Sequence, residues 1–574
     1  MNTYYSAEKN VQILIALMKA HGIKKVIASP GTTNIALVAS IQQDNDFEIY
    51  SSVDERSAAY IASGLAAESG EPVALSCTGA TASRNYIPAL TEAYYRKLPI
   101  LAITSTQHTG KVGQYVPQVI DRSNIQNDIA KISVQLPTVT TDEDEWACNT
   151  TVNNALLELR RNGGGPVHIN LATTYNRDFT VKSLPKTRVI NRYTKNDCLP
   201  EIKQNRIGIF VGSHNKWNDD LTHEVEIFCE KYNGVVLCDH SSNYKGKYSV
   251  QTPIVTTNKN IDMELLIHLG DVSGTYMSFR AKDIWRVSSD GEIRDTYQKL
   301  KKVFQMEEID FFKYYNSMDV KMQQISYYNN WLITYEELLN EIPEMPFSNP
   351  WIAQQTAKLL PSNSVLHLGI LNSLRSWNFF EVDKSILGYS NTGGFGIDGC
   401  VSSLIGASLA DNKKLFFGVI GDLSFFYDLN SLGNRHIGNN LRILLINNGK
   451  GTEFRQYNHP ASRFGDEADS YMAAGGHFGN KSSELVKHYA EDLGYEYITA
   501  SNKEEYLANV GRFITSEITD KPMIFEVFTN NEDESNAIEI MNTLYTDSKT
   551  EAKNMVKNLL GDKGVKAVKK ILRK

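Results

Sequence analysis

The stretches LFFGVIGDLSFF (residues 415–426) and RILLINNGK (residues 442–450) decide the fold. Each begins with an apolar run, and the runs end in polar turns at Gly421-Asp422 and Asn447-Asn448. A short apolar run bounded by turn residues is typical of a buried strand in a parallel sheet. Because parallel strands end at the same edge of a sheet, we expect both turns at the edge where α/β proteins bind ligands.

The residues at these turns have the chemistry of a metal–phosphate site. The Asp422 carboxylate, the Asn448 amide oxygen and nearby backbone carbonyls form the hard oxygen set that Mg²⁺ prefers. Backbone N–H groups at the helix that opens around Ser424 suit a diphosphate. A Gly-Asp pair alone often only ends a strand, but Gly-Asp-x-Ser followed by Asn-Asn one β–α unit later is much more specific.

The same alternation of apolar runs and helical patterns occurs in three regions of the chain. It predicts an α/β fold with three doubly wound parallel-sheet domains, at residues 1–185, 186–345 and 346–545. A basic amphipathic tail follows at 546–574. The polar, basic segment 183–199 is interpreted as a linker, and the irregular loop 106–118 as functional. The predicted strands include 25–29, 47–53, 72–77, 100–104, 167–172, 207–212, 235–239, 265–270, 284–288, 364–368, 415–421, 442–446 and 522–528.

Composition excludes several classes of function. The chain has 574 residues, 41% of them hydrophobic, and a formal net charge of −7. A mildly acidic protein is a poor candidate for general nucleic-acid binding, which depends on neutralising phosphates. The six cysteines are scattered without a CxxC pair, and no signal peptide or uncharged membrane-spanning stretch is evident. We therefore expect a cytoplasmic enzyme.

A second candidate site is the segment DERSAA at residues 54–59. Its simplest interpretation is a charged first helical turn, favoured by the helix dipole. However, Glu55 precedes a helix of small residues, SAAYIASGLAA, which can pack closely. The carboxylate at the head of such a helix could be shielded from water, as a cofactor aminopyrimidine requires.

Together these segments resemble the thiamine-diphosphate (ThDP)-dependent decarboxylase and carboligase superfamily, from about residue 9 to residue 542. Within it the chain most resembles the menaquinone-pathway group of succinyl-enolpyruvyl-hydroxycyclohexene-carboxylate (SEPHCHC) synthases. The matching segments are SPG at 29–31, DERSAAY at 54–60, EAYY at 92–95, WRVSSDGEIRD at 285–295, GIDG at 396–399 and GDLSFFYDLNSL at 421–432.

The resemblance implies the cofactors ThDP and Mg²⁺ and a role for each matched residue. Glu55 would hydrogen-bond N1′ of the aminopyrimidine and serve catalysis. Ile397 would bend the cofactor, although ordinary core packing is the alternative for this residue. The cofactor-binding residues would be Glu55, Ile397, Gly421, Asp422, Leu423, Ser424 and Asn448. The metal ligands would be Asp422, Asn448 and the carbonyl of Lys450.

The chain departs from the family where substrate carboxylates would bind. Thr32 and Thr33 stand where the resembled group has serine and arginine, and Gln107 and Thr392 each replace an arginine. Its Lys-Arg pair falls near residues 274–278, where neither charge is present. Carboxylates are held best by such cations. We therefore expect less charged substrates, such as pyruvate with a sugar or polyol acceptor.

The predicted pocket combines these departures with neighbouring side chains. Each of its residues has the alternative interpretation of a loop-stabilising or surface residue. His108 and His459 are additional candidates for proton transfer, although a histidine in a loop is more often merely exposed. The predicted substrate residues are Thr32, Thr33, Gln107, Gln118, Ser373, Arg375, Trp377, Thr392, Glu453 and Phe454.

The main hypothesis is a carboligase that decarboxylates a 2-oxo acid and transfers its acyl carbanion to a carbonyl or enone acceptor. A simple decarboxylase, or an SEPHCHC synthase with rearranged contacts, is the alternative. A flavin-binding acetolactate-synthase-like enzyme and a non-catalytic ThDP-fold protein are more distant ones. The resemblance implies a homodimer or homotetramer whose active sites are shared between subunits. The tail 546–574 could contact a membrane near glycan assembly, or be a solvated or frayed end.

Overall fold

A computed structural model describes residues 4–320 and 324–545 in two compact units. The first unit holds the residues up to Cys198 together with Asp290–Gln305, and the second holds Leu199–Ser289 together with the residues from Met306 onward. The strands are β1 Lys25–Ala28, β2 Glu48–Ser51, β3 Val73–Cys77, β4 Ile100–Thr106, β5 Ser133–Leu136, β6 Val167–Ala172, β7 Asn191–Thr194, β8 Ile207–Val211, β9 Gly234–Cys238, β10 Ser249–Gln251, β11 Asp262–Leu269, β12 Arg280–Ser288, β13 Leu300–Gln305, β14 Val365–Leu368, β15 Leu387–Tyr389, β16 Phe416–Gly421, β17 Leu441–Asn447, β18 Glu496–Ala500 and β19 Met523–Phe528.

The helices alternate with these strands, as the sequence pattern predicts. They are α1 Lys9–Ala20, α2 Ile35–Ile41, α3 Glu55–Ser69, α4 Thr81–Arg84, α5 Ile87–Tyr95, α6 Asp142–Glu158, α7 Asp219–Tyr232, α8 Pro253–Asn258, α9 Glu308–Ser317, α10 Ser326–Asn340, α11 Asn349–Thr356, α12 Asn372–Trp377, α13 Cys400–Ser408, α14 Asp422–Tyr427, α15 Leu485–Asp492, α16 Lys503–Phe513 and α17 Asn531–Asn542. Within the described residues, no helix has both the length and the apolar character needed to cross a membrane. The tail 546–574, and with it the prediction of membrane contact, lies outside those residues.

Parallel sheets organise both units. The first unit contains the sheet β2-β1-β3-β4-β6-β5, and β7 pairs in parallel with β13. In the second unit, β10-β9-β8-β11-β12 form one run of parallel strands and β15-β14-β16-β17-β19-β18 form a further sheet. The predicted α/β class with three parallel-sheet domains is therefore confirmed. Compact units defined by contacts need not coincide with domains defined by sheets, so the boundaries at 185/186 and 345/346 stay predictions.

The first sheet is buried on both faces. Successive side chains of a strand point to opposite sides, and each side packs in its own apolar cluster. Val26 packs in one apolar cluster and its neighbour Ile27 in another. Leu101 and Ile103 join the first cluster, whereas Ile100 joins the second. Helices α1 and α6 supply the first cluster, and α3 and α5 supply the second. This double coverage is what a doubly wound sheet requires.

The segment 183–199 contains a strand, although the sequence was interpreted there as a linker. β7 forms within it because Asn191–Thr194 pairs in register with Lys302–Gln305 of β13. The pairing partner lies more than a hundred residues away, so the polar composition of 183–199 gives no sign of it. A strand so short, with an exposed-to-intermediate burial pattern, also lacks the apolar run that marks a buried strand.

A buried carboxylate joins β13 to the rest of the first unit. The Asp295 side chain is 1% exposed and lies 2.6 Å from Arg188 Nη1. Its oxygens also accept hydrogen bonds from Trp146 Nε1 at 2.8 Å and from the Leu300 amide at 2.8 Å. A buried charge held by several donors is stabilising only while all the partners remain.

Replacing Asp295 with alanine should therefore destabilise the first unit by at least about 2 kcal/mol, because it leaves the Trp146 and Leu300 donors unsatisfied and takes the carboxylate away from the partly buried Arg188. Chemical denaturation followed by tryptophan fluorescence measures the change. The matched control is Glu292→Ala, which removes an exposed carboxylate 3.6 Å from Arg161 and should cost no more than about 1 kcal/mol. Equal effects of the two substitutions would contradict the assignment.

Candidate active site

The turn after β16 places a buried carboxylate between two strand ends. Asp422 is 2% exposed and opens α14. Its Oδ1 accepts a hydrogen bond from the Leu423 amide at 2.8 Å, and its Oδ2 accepts one from the Gly449 amide at 2.7 Å. β16 and β17 are parallel neighbours, so their carboxyl ends lie side by side as predicted. The carboxylate therefore links the two turns that carry the motif.

The turn after β17 presents an amide oxygen that has no partner. Asn448 Nδ2 is 3.4 Å from Thr452 Oγ1, while its buried Oδ1 accepts no hydrogen bond. Buried side-chain oxygens nearly always have a partner, so an unsatisfied one indicates a missing ligand. Gly449 has φ +80°, and a side chain here would collide with Asn480 Nδ2 at 2.4 Å. Only glycine lets the turn bring the two oxygen ligands together.

These residues fit the Mg²⁺ site that the sequence predicts. The Lys450 side chain is committed elsewhere, because its Nζ donates to Asp469 Oδ2 at 2.5 Å. What Lys450 can offer a cation is therefore its backbone carbonyl. A carboxylate, an unpartnered amide oxygen and a carbonyl form a hard donor set for a divalent cation that also binds phosphate. The assignment of Asp422, Asn448 and Lys450 as metal ligands stays a prediction.

The GIDG segment contacts the same turn. Ser424 Oγ donates to the Ile397 carbonyl at 2.6 Å, which fixes the loop 396–399 against α14. The Ile397 side chain is half-buried, and a Cβ added at Gly421 would meet nothing within 4 Å. Open space beside Gly421 and a partly exposed apolar side chain are compatible with a bound cofactor. The Ser424 hydroxyl already donates its hydrogen to the Ile397 carbonyl. The donor that Ser424 can still offer to a phosphate is its backbone N–H.

Glu55 lies in the first unit, at the first residue of α3. Asp54 caps this helix, accepting hydrogen bonds from the Ser57 amide at 3.2 Å and from Ser57 Oγ at 2.6 Å. The buried face of α3 consists of Ala58, Ala59, Ala62, Ser63 and Ala66, as the small-residue pattern predicts. Glu55 itself is half-buried.

The charge of Glu55 reaches the protein interior. Burial raises the pKa of the Cys77 thiol to about 12, and the Glu55 carboxylate adds to that shift. Burial, first of all, also raises the pKa of Tyr86, again with a contribution from Glu55. Glu55 therefore faces buried side chains on one side and is accessible on the other, which suits a carboxylate that must meet a ligand.

The predicted substrate residues of the first unit differ in accessibility. Thr32 is exposed, but Thr33 is buried and its hydroxyl bonds Thr78 Oγ1 at 2.7 Å and the Ser105 carbonyl at 3.0 Å. Gln107 accepts a hydrogen bond from Lys111 Nζ at 2.6 Å. Gln118 is exposed with φ +65°, a conformation that is strained for a residue other than glycine. The Thr33 hydroxyl thus serves the fold, whereas Thr32, Gln107 and Gln118 remain accessible.

Arg375, a predicted substrate residue of the second unit, is already paired with a carboxylate. Its Nη1 and Nη2 donate to the two Glu453 oxygens at 2.8 and 3.1 Å, a bidentate pair. Nη1 also lies 3.2 Å from Gln456 Oε1. The side chain is 31% exposed, so it is accessible while already paired with a carboxylate.

The other predicted substrate residues of the second unit divide into buried and accessible groups. Trp377 is 1% exposed and donates to Asn349 Oδ1 at 3.2 Å, and Ser373 is also buried. Phe454 is half-buried with its ring edge-on to His459, the ring centroids 5.2 Å apart. Trp377 and Ser373 therefore support the fold around the site, and Phe454 is the more accessible side chain.

Thr392 lines a polar cavity of about 590 Å³ in the second unit. Of the described residues that line this cavity, none is lysine or arginine. The polar lining residues are Ser213, Asp271, Ser390, Asn391, Thr392 and Asp398. Hydroxyl, amide and carboxylate groups in this combination can bind hydroxyl groups, whereas the negative charges of Asp271 and Asp398 disfavour a substrate carboxylate.

The two candidate histidines of the sequence act as helix caps. His108 Nδ1 accepts a hydrogen bond from the Gly110 amide at 3.1 Å, and His459 Nδ1 accepts one from the Ala461 amide at 3.1 Å. A histidine that the sequence analysis did not select is better placed. His477 Nε2 lies 3.8 Å from Asp422 Oδ2 and has no hydrogen-bond partner. It comes from a distant irregular loop, so no local motif marks it.

Two buried glutamates were also missed by the sequence analysis. Burial raises the pKa of Glu526 to about 7, and the Asp422 carboxylate contributes to the shift. Its oxygens accept hydrogen bonds from Asn447 Nδ2 at 2.7 Å and from Tyr497 Oη at 2.8 Å. The pKa of Glu534 is likewise raised to about 7, chiefly by burial. Both glutamates add negative potential around Asp422.

Comparison with known proteins gives consistent matches. Residues 9–125 match the model of the thiamine pyrophosphate enzyme N-terminal TPP binding domain. The chain is 34% identical over 555 residues to the SEPHCHC synthase (2-succinyl-5-enolpyruvyl-6-hydroxy-3-cyclohexene-1-carboxylate synthase) of Bacteroides fragilis, covering 92% of this chain and 97% of the relative. The proteins of that name from Bacteroides thetaiotaomicron and Phocaeicola vulgatus are 34% and 31% identical, with the same coverage.

The raised pKa of Glu526 predicts a pH-dependent stability. Its folded pKa of about 7 lies above the ordinary value of 4.5, so the native state binds more protons and stability falls as the pH rises between these values. The full effect is about 3 kcal/mol. Glutamine at position 526 cannot ionise, so the Glu526→Gln variant should lack this loss. Relative to the parent, its free energy of unfolding should therefore increase as the pH rises from 4.5 to 8.

Thermal or denaturant unfolding at pH 4.5, 6 and 8, without added cofactor, measures this difference. The control is Glu504→Gln, which changes an exposed glutamate on α16 and should leave the pH dependence unaltered. Parallel stability curves for the parent and Glu526→Gln would show that the carboxylate is not the titrating group.

Proposed function

Because the chain belongs to the family of ThDP-dependent enzymes that contains the SEPHCHC synthases, we propose that it decarboxylates a 2-oxo acid and transfers the acyl carbanion to an acceptor. ThDP, when bound, supplies the carbon nucleophile and the electron sink for the decarboxylation. We further propose that the donor and the acceptor of this enzyme carry fewer carboxylates than substrates that are bound by several arginines. A donor such as pyruvate and a polyhydroxylated carbonyl acceptor meet both conditions.

The observation that carries the proposal is the pairing of Arg375 with Glu453. A guanidinium that already forms two hydrogen bonds to a carboxylate cannot offer the same donors to a substrate without exposing Glu453. The nearby cavity adds Asp271 and Asp398 and contains no lining cation among the residues described. A dicarboxylic substrate would be repelled there, whereas hydroxyl groups would find acceptors in the carboxylates and the amide of Asn391.

The chain's own residues divide the remaining work. Asp422, Asn448 and the carbonyl of Lys450 would hold Mg²⁺, which in turn would bind the diphosphate of the cofactor. Glu55 would hold a proton at the aminopyrimidine N1′ and thereby set its protonation state.

Two alternatives share these residues. A simple decarboxylase would release the aldehyde instead of transferring the acyl group. An SEPHCHC synthase would require carboxylate partners other than those of the resembled family. Product analysis in the presence of polyhydroxylated aldehydes separates carboligase from decarboxylase, because only the carboligase forms a new carbon–carbon bond.

Glu55→Gln should lower kcat for CO₂ release at least 100-fold, since a positioned acid–base group contributes about 10²–10⁴-fold. Saturable binding of ThDP and Mg²⁺ should be retained, because the predicted metal ligands are unchanged. CO₂ release from a panel of 2-oxo acids and calorimetric titration measure the two quantities. The matched control is Glu68→Gln, an exposed glutamate near the other end of α3, which should retain full activity. Full activity of Glu55→Gln would overturn the assigned role.

Glu453→Gln should release Arg375 for a substrate carboxylate. We expect kcat/KM for 2-oxoglutarate, relative to pyruvate, to rise about 10-fold, the value of one charge-assisted hydrogen bond of about 1.4 kcal/mol. Glu467→Gln, an exposed glutamate of the same region, is the control and should leave the ratio unchanged. A parent enzyme that already prefers dicarboxylic acids would contradict the proposal and favour the SEPHCHC synthase reaction.

A further inference from the structure

Arg122, in the first unit, is a buried cation whose hydrogen-bonding capacity is largely unused. The residue is 4% exposed, and its Nη2 donates to the Ser105 carbonyl at 3.1 Å. Its Nε and Nη1 are buried and form no hydrogen bond. A guanidinium has five N–H donors and cannot lose its charge readily, so unsatisfied donors in the interior are costly. The described residues therefore supply no acceptor for these two donors of Arg122.

A small cavity lies beside this guanidinium. It has a volume of about 30 Å³ and is lined by Arg122 together with Arg84, Tyr86, Thr104 and His168, among other residues. Among the described residues that line it there is no aspartate or glutamate. A space of this size can hold a water molecule or a monatomic ion, and it is too small for a 2-oxo acid.

Among the described residues, the titratable side chains that line the cavity supply no negative charge; the Glu55 carboxylate acts on one of them, Tyr86, without itself lining the cavity. Burial holds the pKa of His168 at about 3, so its ring is neutral, and both ring nitrogens are bonded to the Thr104 and Ser133 hydroxyls at 2.7 Å. Burial raises the pKa of Cys77 to about 12, so this thiol is also neutral. Burial, and repulsion from Arg84, lower the pKa of Arg122 to about 10, which still leaves it charged at neutral pH.

We propose that this cavity binds a monatomic, monovalent anion of the size of chloride or bromide, held by the free Nε–H and Nη1–H of Arg122. An anion accepts these hydrogen bonds and also neutralises the charge of Arg122. A water molecule would accept the hydrogen bonds but leave that charge unbalanced. The exposed Arg84 adds to the positive potential at the same place. None of the residues assigned to the cofactor or to the substrates lines the cavity, although Arg122 and the predicted substrate residue Thr33 donate to the same Ser105 carbonyl.

Crystals of the unaltered protein grown or soaked in sodium bromide provide the direct test. Diffraction at the bromine absorption edge should give an anomalous difference peak within hydrogen-bond distance of Arg122 Nε and Nη1. Density at this position without an anomalous signal would identify a water molecule and overturn the proposal. Crystals soaked in sodium gluconate in place of sodium bromide should show no such peak, because they contain no bromine.

A solution measurement gives an independent result. At constant ionic strength, the unfolding midpoint of the unaltered protein should rise as sodium bromide replaces sodium gluconate, since an anion that binds the native state stabilises it. Arg122→Gln should lose this rise. Arg177→Gln, which changes an exposed arginine of the same unit, should keep it. A midpoint that does not respond to bromide would overturn the proposal, and the crystallographic test decides the matter if Arg122→Gln fails to fold.

Discussion

The Asp422 carboxylate, which accepts amide hydrogens from both Leu423 and Gly449, is the interaction on which the predicted metal site depends. It joins the end of β16 to the end of β17 and holds Gly449 in the left-handed turn that aims Asn448 into the site. Both carboxylate oxygens of Asp422 stabilise this turn before any ligand binds. A neutral side chain at position 422 would therefore weaken the turn and remove a predicted metal ligand at the same time.

The strand pattern of the fold was predictable because parallel strands buried on both faces are nearly continuous apolar runs. The runs at 415–421 and 442–446 correspond to β16 and β17 to within one residue. Short edge strands were not predictable. Asn191–Thr194 is polar and becomes a strand only through its pairing with β13, and β15 has only three residues. Their formation depends on distant partners, which no local pattern contains.

The candidate site shows the same division. Asp422, Asn448 and Glu55 lie within short motifs, so residue type and spacing were sufficient to select them. His477, Glu526 and Glu534 come from other elements and approach Asp422 only through the tertiary fold. The neutralisation of Arg375 was equally hidden, because Glu453 lies 78 residues further along the chain. A sequence shows that an arginine is present, but whether it is free for a substrate is a property of the folded protein.

Charge balance explains why the same structure favours a cation in one place and an anion in another. In the second unit, cations close to the predicted metal and substrate residues are paired within the protein: Lys450 and Arg455 both bind Asp469, and Arg375 binds Glu453. The Asp422 carboxylate and the Asn448 oxygen, for which the described residues supply no donor, are the groups that the predicted divalent cation would bind. In the first unit, Arg122 is the unbalanced charge, and the relieving ligand has the opposite sign. In both proposals the sign of the ligand charge is inferred from buried atoms that lack a hydrogen-bond partner among the described residues: an amide oxygen of Asn448 for a cation, and two guanidinium nitrogens of Arg122 for an anion.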